Sequence, residues 1–216
     1  MTTNMWFFNG IRRLGRTERF PDAEPACAAR WSTELAGSGT VSCPAGAITD
    51  NHWDAGRCIC CRRCFPAWTP TGNVRLSTVD RVSAGQKFVP FKRSLYLYAI
   101  DAGTCGACNM ELQALSTPHY DMNRLGLFFT NSPRHADALI VMGVHADRMD
   151  DVIEKACDAM PEPKMILALG TCAISGGIMG KPPRTCKPPL VSIPGCPPNP
   201  YTILEGILKA KEVSSE

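Results

Sequence analysis

From residue 94 onward, short apolar runs alternate with segments whose apolar positions recur every three or four residues. SLYLYAI from Ser94, LGLFFT from Leu125, ALIVMG from Ala138, MILALG from Met165 and LVSI from Leu190 read as buried strands. The first ends in Asp101, Ala102 and Gly103, which are turn residues. Between the runs, residues 107–116, Asp147 to Ala159 and Tyr201 to Lys211 read as helices. The second carries Met149, Val152, Ile153 and Cys157 on one face and is stopped by Met160 and Pro161. The third follows Pro200, which suits a first helical turn because no amide bond is needed there. Strands alternating with helices imply an α/β domain, with a mostly parallel sheet covered on both faces.

Residues before 94 lack this rhythm. Residues 1–20 are amphipathic, with Trp6, Phe7, Phe8, Ile11 and Leu14 set against Arg12, Arg13 and Arg16. That pattern suits either a membrane surface or a docking site on a partner protein. Residues 21–66 are loop-rich, and 67–92 form a polar connector able to make a short hairpin, without evident chemistry. The chain thus divides into segments 1–20, 21–66, 67–92 and 93–216. No apolar run reaches the roughly 18 residues of a membrane span, and the start lacks the pattern of a secretory signal.

Charge follows the same division. Residues 1–93 carry 13 Lys and Arg against 7 Asp and Glu, and residues 94–216 carry 10 against 13. A basic first half suits an acidic partner or an anionic membrane surface. Nucleic acid is not expected, because no recognition motif is present and several basic residues sit among cysteines. There are 12 cysteines in 216 residues. Disulfide frameworks belong mainly to short secreted chains, so ligation of metal or clusters is the better reading.

Four cysteines follow predicted strands: Cys105 and Cys108 in CGACNME, Cys172 in GTCA, and Cys196 in PGCPPNP. Open α/β sheets bind ligands beyond the carboxyl ends of their strands, so these four should converge on one edge. Gly103, Gly106, Gly170 and Gly195 let the backbone approach a bulky group. Buried structural cysteines would have no reason to fall at strand ends. Upstream, SCPAGAIT precedes RCICCRRCFP, in which Cys58, Cys61 and Cys64 form a C-x2-C-x2-C run. Cys43, before Pro44, is the natural fourth ligand. Zinc on the same four thiolates is the alternative chemistry. Cys27, Cys60, Cys157 and Cys186 are left over, with Cys157 on an apolar helix face and Cys60 a ligand only if the register shifts.

The upstream segment resembles a two-cluster bacterial-type ferredoxin, like the ferredoxin-like subunits of membrane-bound hydrogenases and respiratory complex I. The ligands of one of its two clusters are absent, which implies one retained cluster on Cys43, Cys58, Cys61 and Cys64. From about residue 93 to 210 the chain resembles the small subunit of membrane-bound, energy-converting [NiFe] hydrogenases. It is also similar to the 20-kDa subunit of complex I, through CGACNME, SPRHAD (Ser132 to Asp137), GTC and PGCPPNP. The complex I subunit has adjacent cysteines at the first ligand position, whereas this chain has the hydrogenase C-x2-C spacing.

That resemblance implies a flavodoxin-like sheet and a proximal [4Fe–4S] cluster on Cys105, Cys108, Cys172 and Cys196, hence two [4Fe–4S] clusters in all. It implies a large [NiFe] hydrogenase-like catalytic subunit as partner, since this chain lacks the two C-x2-C pairs for nickel. Membrane-arm subunits, and ferredoxin or quinone as carrier, complete the expected assembly, peripheral on the cytoplasmic side of the membrane. The implied activity is electron transfer within a hydrogenase; the alternative is a complex I-like reductase without hydrogen chemistry. Glu111 matches an acidic position implied to face the catalytic subunit and relay protons; it also suits a helix N-terminus. SPRHAD is implied to serve loop structure.

Overall fold

The computed structural model describes residues 30–80, 94–103 and 105–213, so the amphipathic start, Cys27 and Phe88 to Phe91 lie outside the described residues. The first described stretch has little regular structure. A single 3₁₀ turn at Arg30–Ser32 precedes β1 (Leu35–Gly37), β2 (Ile48–Thr49), β3 (His52–Trp53) and β4 (Trp68–Pro70). β1 pairs antiparallel with β4, and β2 with β3. Leu35, Ile48 and Trp68 form a small apolar centre, against which Trp31, Trp53, Cys43, Cys58 and Cys64 pack.

The expected hairpin of residues 67–92 lies partly outside the described residues, and within 68–79 the two strands pair elsewhere. β4 reaches back to β1, and β5 (Thr78–Val79) joins the main sheet, antiparallel to β10 (Val191–Ile193). The physical reason lies in the last helix, α4 (Pro200–Val213). Its Thr202 hydroxyl donates to the Val74 carbonyl at 2.8 Å, and Lys209 Nζ donates to the Ser77 carbonyl at 2.8 Å. The Ser77 amide in turn donates to Glu205 Oε2 at 3.3 Å. Thr202, Glu205 and Ser77 are all buried, so each of these bonds replaces one that water would have made. Periodicity cannot foresee polar side chains capturing a neighbouring backbone.

The sheet follows from the apolar runs. β6 (Leu95–Asp101), β7 (Leu127–Phe129), β8 (Ala138–Met142), β9 (Met165–Leu169) and β10 are mutually parallel and stand in the order β10-β9-β8-β6-β7. Counting only these five, the order is 2-1-3-4-5, that of flavodoxin-like folds. β8 and β9 are buried at every position, as parallel strands covered on both faces must be. Their side chains alternate between two cores. Ala138, Ile140 and Met142 join Leu97, Leu167 and Ile203, while Leu139 and Val141 join Ile153, Cys157 and Ile166. The helix α1 (Ala107–Ala114) and α4 therefore cover one face, and α2 (Met149–Ala159) the other.

Three details depart from the sequence reading. The inward stripe of α2 is Ile153, Ala156 and Cys157, and Val152 is 46% exposed. The expected apolar face was one position too wide. Cys157 is buried as expected but is also joined to Cys186 in a disulfide. A short helix that no apolar periodicity announced, α3 (Thr171–Ser175), follows β9 directly.

Candidate functional site

The strand order gathers the downstream cysteines. Cys172 is the second residue of α3, and Cys196 follows the neighbouring strand β10, so the two leave adjacent strands on the same edge. Cys105 and Cys108 follow β6, with only β8 between it and β9. Cys108 is 8% exposed, Cys172 and Cys196 are half-buried, and Cys105 is exposed. The Asp101 carboxylate shapes the loop that carries the first pair. One oxygen accepts the Gly103 amide at 2.9 Å, and the other accepts from the Asn109 side chain, one turn into α1.

Gly170 marks how closely these elements meet. It adopts φ 86, and a Cβ placed there would lie 2.8 Å from Cys108 Sγ. Only glycine lets β9 turn into α3 with that sulfur alongside. Burial pushes the Cys108 thiol up to about 12, and the thiols of Cys172, Cys196 and Cys105 add to the effect. Burial also raises Cys172, followed by the nearby Cys105, and raises Cys196, followed by Cys172 and Cys105. Cys108, Cys172 and Cys196 thus each feel the neighbouring sulfurs of this group. Holding all of them as thiolates requires a positive centre among them, which is what iron supplies.

The upstream cysteines form a second group. Cys43, Cys58, Cys60, Cys61 and Cys64 line one small hollow of about 20 Å³, partly open to solvent, with Trp31, Leu35, Ile48 and Trp53 as apolar walls and Arg62 and Arg63 at its margin. The Ala47 amide donates to Cys43 Sγ at 3.3 Å. The Trp53 indole N–H lies near enough to Cys58 to favour its thiolate. It makes no well-formed hydrogen bond and, like that of Trp68, is buried without a partner. A hollow lined by five thiols, with cations at its rim and a buried indole N–H facing it, suits an anionic sulfur-containing core. Among the described residues no three His, Cys, Asp or Glu side chains converge tightly enough for a single metal ion. Tetrahedral zinc would need sulfurs about 2.3 Å from one point. The thiolates of an iron–sulfur cube each hold a different iron and can stand further apart.

Cys60 separates from the upstream set by its geometry. Its φ of 53 turns it out of line with Cys58 and Cys61. A hydrogen bond between its thiol and that of Cys58 lowers Cys58 despite burial and raises Cys60 itself. The sulfur of Cys60 also lies against the backbone N–H of Cys196. The two cysteine groups are therefore in contact, and Cys60 stands where they meet. A second contact comes from α3: the Thr171 hydroxyl donates to the Cys58 carbonyl at 2.8 Å, and the Ser175 hydroxyl to the Gly56 carbonyl at 2.9 Å.

The other expected residues find varied places. Glu111 is half-buried on α1, three positions after Cys108, and burial raises its carboxyl. SPRHAD is a structural loop. The Ser132 hydroxyl accepts the Arg134 amide at 3.4 Å, and Asp137 Oδ2 accepts the Tyr96 amide at 2.8 Å, tying the start of β8 to β6. His119 meets the Tyr201 hydroxyl at 3.0 Å and His145 meets Asp150 at 3.1 Å, so both are engaged elsewhere. Asp101, Trp53, Thr171 and Ser175 shape the sites without having been foreseen. Only the closeness of Asp101, Thr171 and Trp53 to the cysteines in sequence could have hinted at them.

An open flavodoxin-like sheet with four cysteines at its ligand-binding edge defines an α/β protein with the surroundings of a redox centre. Residues 105–210 match the family model of the NADH ubiquinone oxidoreductase 20 Kd subunit. The chain belongs to this family, one of oxidoreductase subunits. It is 31% identical to a chain of the membrane-bound sulfane sulfur reductase, an archaeal respiratory membrane complex, covering 57% of this chain and 72% of that one with a TM-score of 0.49. A chain of an NAD+-reducing [NiFe]-hydrogenase, solved in its H2-reduced state, aligns over 57% of this chain and 94% of that one, at 17% identity and a TM-score of 0.40. Among the described residues no helix is long and apolar enough to cross a membrane.

Proposed function

We propose that this chain is an iron–sulfur electron-transfer subunit of a membrane-associated [NiFe] hydrogenase complex. One [4Fe–4S] cluster would be held by Cys105, Cys108, Cys172 and Cys196, and a second by Cys43, Cys58, Cys61 and Cys64. The observation that carries this reading is that Cys105, Cys108, Cys172 and Cys196 follow strands that end on one edge of the sheet, and that α3, which bears Cys172, is hydrogen-bonded to the segment bearing Cys58. When bound, such clusters supply one-electron redox chemistry. The residues around them hold the sulfurs, exclude water and offer N–H donors. The segments 21–66 and 93–216 are in this reading a ferredoxin-like module and a hydrogenase-small-subunit domain on one polypeptide.

The catalytic nickel–iron centre belongs to a large partner subunit that docks over Cys105 and α1. Glu111 is the residue through which protons pass toward that subunit: it stands on α1 three positions after Cys108, and burial raises its carboxyl above the usual carboxylate range. Membrane-arm subunits hold the assembly on the cytoplasmic face, and a ferredoxin or a quinone exchanges electrons at the Cys43 end. A second reading is favoured by the description of the matching family as a quinone oxidoreductase subunit. There the same two clusters serve a large subunit that reduces quinone or another acceptor without hydrogen chemistry.

Purification of the native complex decides between them. Nickel in the large subunit, with iron–sulfur signals that bleach under hydrogen, is the expected result. A nickel-free complex that hydrogen leaves oxidised, but that still passes electrons to a quinone, would replace the first reading with the second.

A further inference from the structure

The contact between the two cysteine sets runs through one short helix, and its chemistry is specific. Thr171 and Ser175 are four residues apart on α3 and so share a face. Thr171 is 1% exposed. Its hydroxyl has two carbonyls within reach, Cys58 at 2.8 Å and Gly195 at 3.2 Å. The Cys58 carbonyl is the nearer of the two and takes the hydroxyl proton, while the Gly195 carbonyl takes the Thr171 amide at 2.9 Å. A helical Thr or Ser hydroxyl ordinarily returns to a carbonyl of its own helix. Here Thr171 reaches instead to a residue 113 positions earlier, while Ser175 lies within reach both of the Thr171 carbonyl of its own helix at 3.1 Å and of the Gly56 carbonyl, 119 positions earlier, at 2.9 Å. Ile59 completes the packing, because a Cβ on Gly177 would touch both its side chain and Cys172 Sγ.

We infer that Thr171 and Ser175 are positioning residues that clamp the Cys58 segment against Cys172 and so set the separation of the two redox centres. The inference rests on the proposed pair of clusters. Thr171 precedes Cys172 in the chain, so a single hydrogen bond joins the side chain of a ligand's neighbour in one set to the backbone carbonyl of a ligand in the other. The step this serves is balanced by itself. One electron leaves the reduced centre of one set and enters the oxidised centre of the other, with no proton moved and no bond broken. Its rate falls steeply with separation, so a loosened clamp slows it without changing either set of ligands.

The test uses the full chain reconstituted with iron and sulfide, as wild type, Thr171→Val, Thr171→Ser and Ser175→Ala. Sub-stoichiometric dithionite delivers single electrons, and their exchange between centres is followed by rapid-freeze paramagnetic resonance, along with the magnetic coupling of the fully reduced pair. Thr171→Val removes the hydroxyl at nearly constant volume. It should keep its iron, weaken the coupling and slow exchange by up to roughly tenfold, the effect of one lost hydrogen bond on the docked population. Thr171→Ser should restore both readings, and Ser175→Ala should shift them less. Loss of one centre in Thr171→Val that Thr171→Ser repairs supports the same clamp. Wild-type coupling and exchange in Thr171→Val, or a Thr171→Ser no better than Val, overturns it.

Hydrogen exchange of residues 54–61 in the cluster-free chain separates this inference from the reading beneath it. If wild type binds fewer than two clusters, the proposed function fails. Faster exchange in Thr171→Val but not in Thr171→Ser would still support the clamp, and equal exchange in all three would overturn it.

Discussion

The two cysteine sets use the same ligand chemistry on opposite structural plans. The downstream set is fixed by topology: three parallel strands end on one edge, and their loops deliver Cys105, Cys108, Cys172 and Cys196 there. The upstream set hangs on two-stranded fragments, positive-φ residues such as Cys60 and Arg62, and a small centre of Leu35, Ile48 and Trp68. Their electrostatics differ as well. Around Cys108, burial dominates and the neighbouring charges are other cysteines and Asp101. The upstream hollow has Arg62 and Arg63 at its rim. A rigid sheet can tolerate a buried set with little charge compensation, whereas a loop-held set draws on cations and on docking to its neighbour.

The sharpest way to break this comparison is to delete one ligand from each set. Cys172→Ser and Cys61→Ser should each lose roughly four of about eight irons per chain, and each should leave the other centre's paramagnetic signal in place. If either variant emptied both sites, the sets would not be independent.

Next in size is a pH effect carried by Cys108. The Cys108 thiol is raised from 9.0 to about 12 in the folded, cluster-free chain. Between those values the unfolded chain releases this proton while the folded chain retains it, so stability is full below about pH 9 and declines as pH rises toward 12. Denaturant unfolding of the cluster-free chain across that range should show a loss of up to about 4 kcal/mol that is absent in Cys108→Ser. An equal slope in both proteins would remove the burial account of that sulfur.

Glycine substitutions test how tight the sheet-edge loops are. Gly170→Ala brings its Cβ within 2.8 Å of Cys108 Sγ, whereas Gly106→Ala, also at positive φ, meets nothing within 4 Å. Both incur about 1–2 kcal/mol of left-handed strain, and only Gly170→Ala should also fail to load the downstream cluster. The smallest expected effect lies upstream. Arg62→Ala removes an exposed cation from the hollow's rim, which should lower that centre's reduction potential by roughly 10–40 mV in a redox titration and leave the other centre unmoved.

The fold of residues 94–213 was largely legible in the sequence, because parallel strands buried on both faces spell themselves as apolar runs such as ALIVM and MILAL. The downstream cysteines were legible for the same reason, since strand ends locate ligand edges. What the sequence concealed is held by single polar groups. Thr202, Glu205 and Lys209 capture the backbone of residues 74–77 and carry β5 to the sheet. Asp101 orders the first cysteine loop, and Thr171 and Ser175 join the two sets. These bonds link residues distant in sequence and leave no periodic trace. The Cys157–Cys186 bond escaped for a similar reason, as its partners are 29 residues apart on an apolar face and a loop.

The central claim is that one chain carries two four-iron centres in contact. Iron and acid-labile sulfide counts on the anaerobically purified chain, with paramagnetic resonance after full reduction, test it most directly. The account predicts about eight irons and eight sulfides per chain, with a signal broadened by coupling between two centres. Four irons with a single uncoupled signal, or a colourless chain holding zinc, would contradict it.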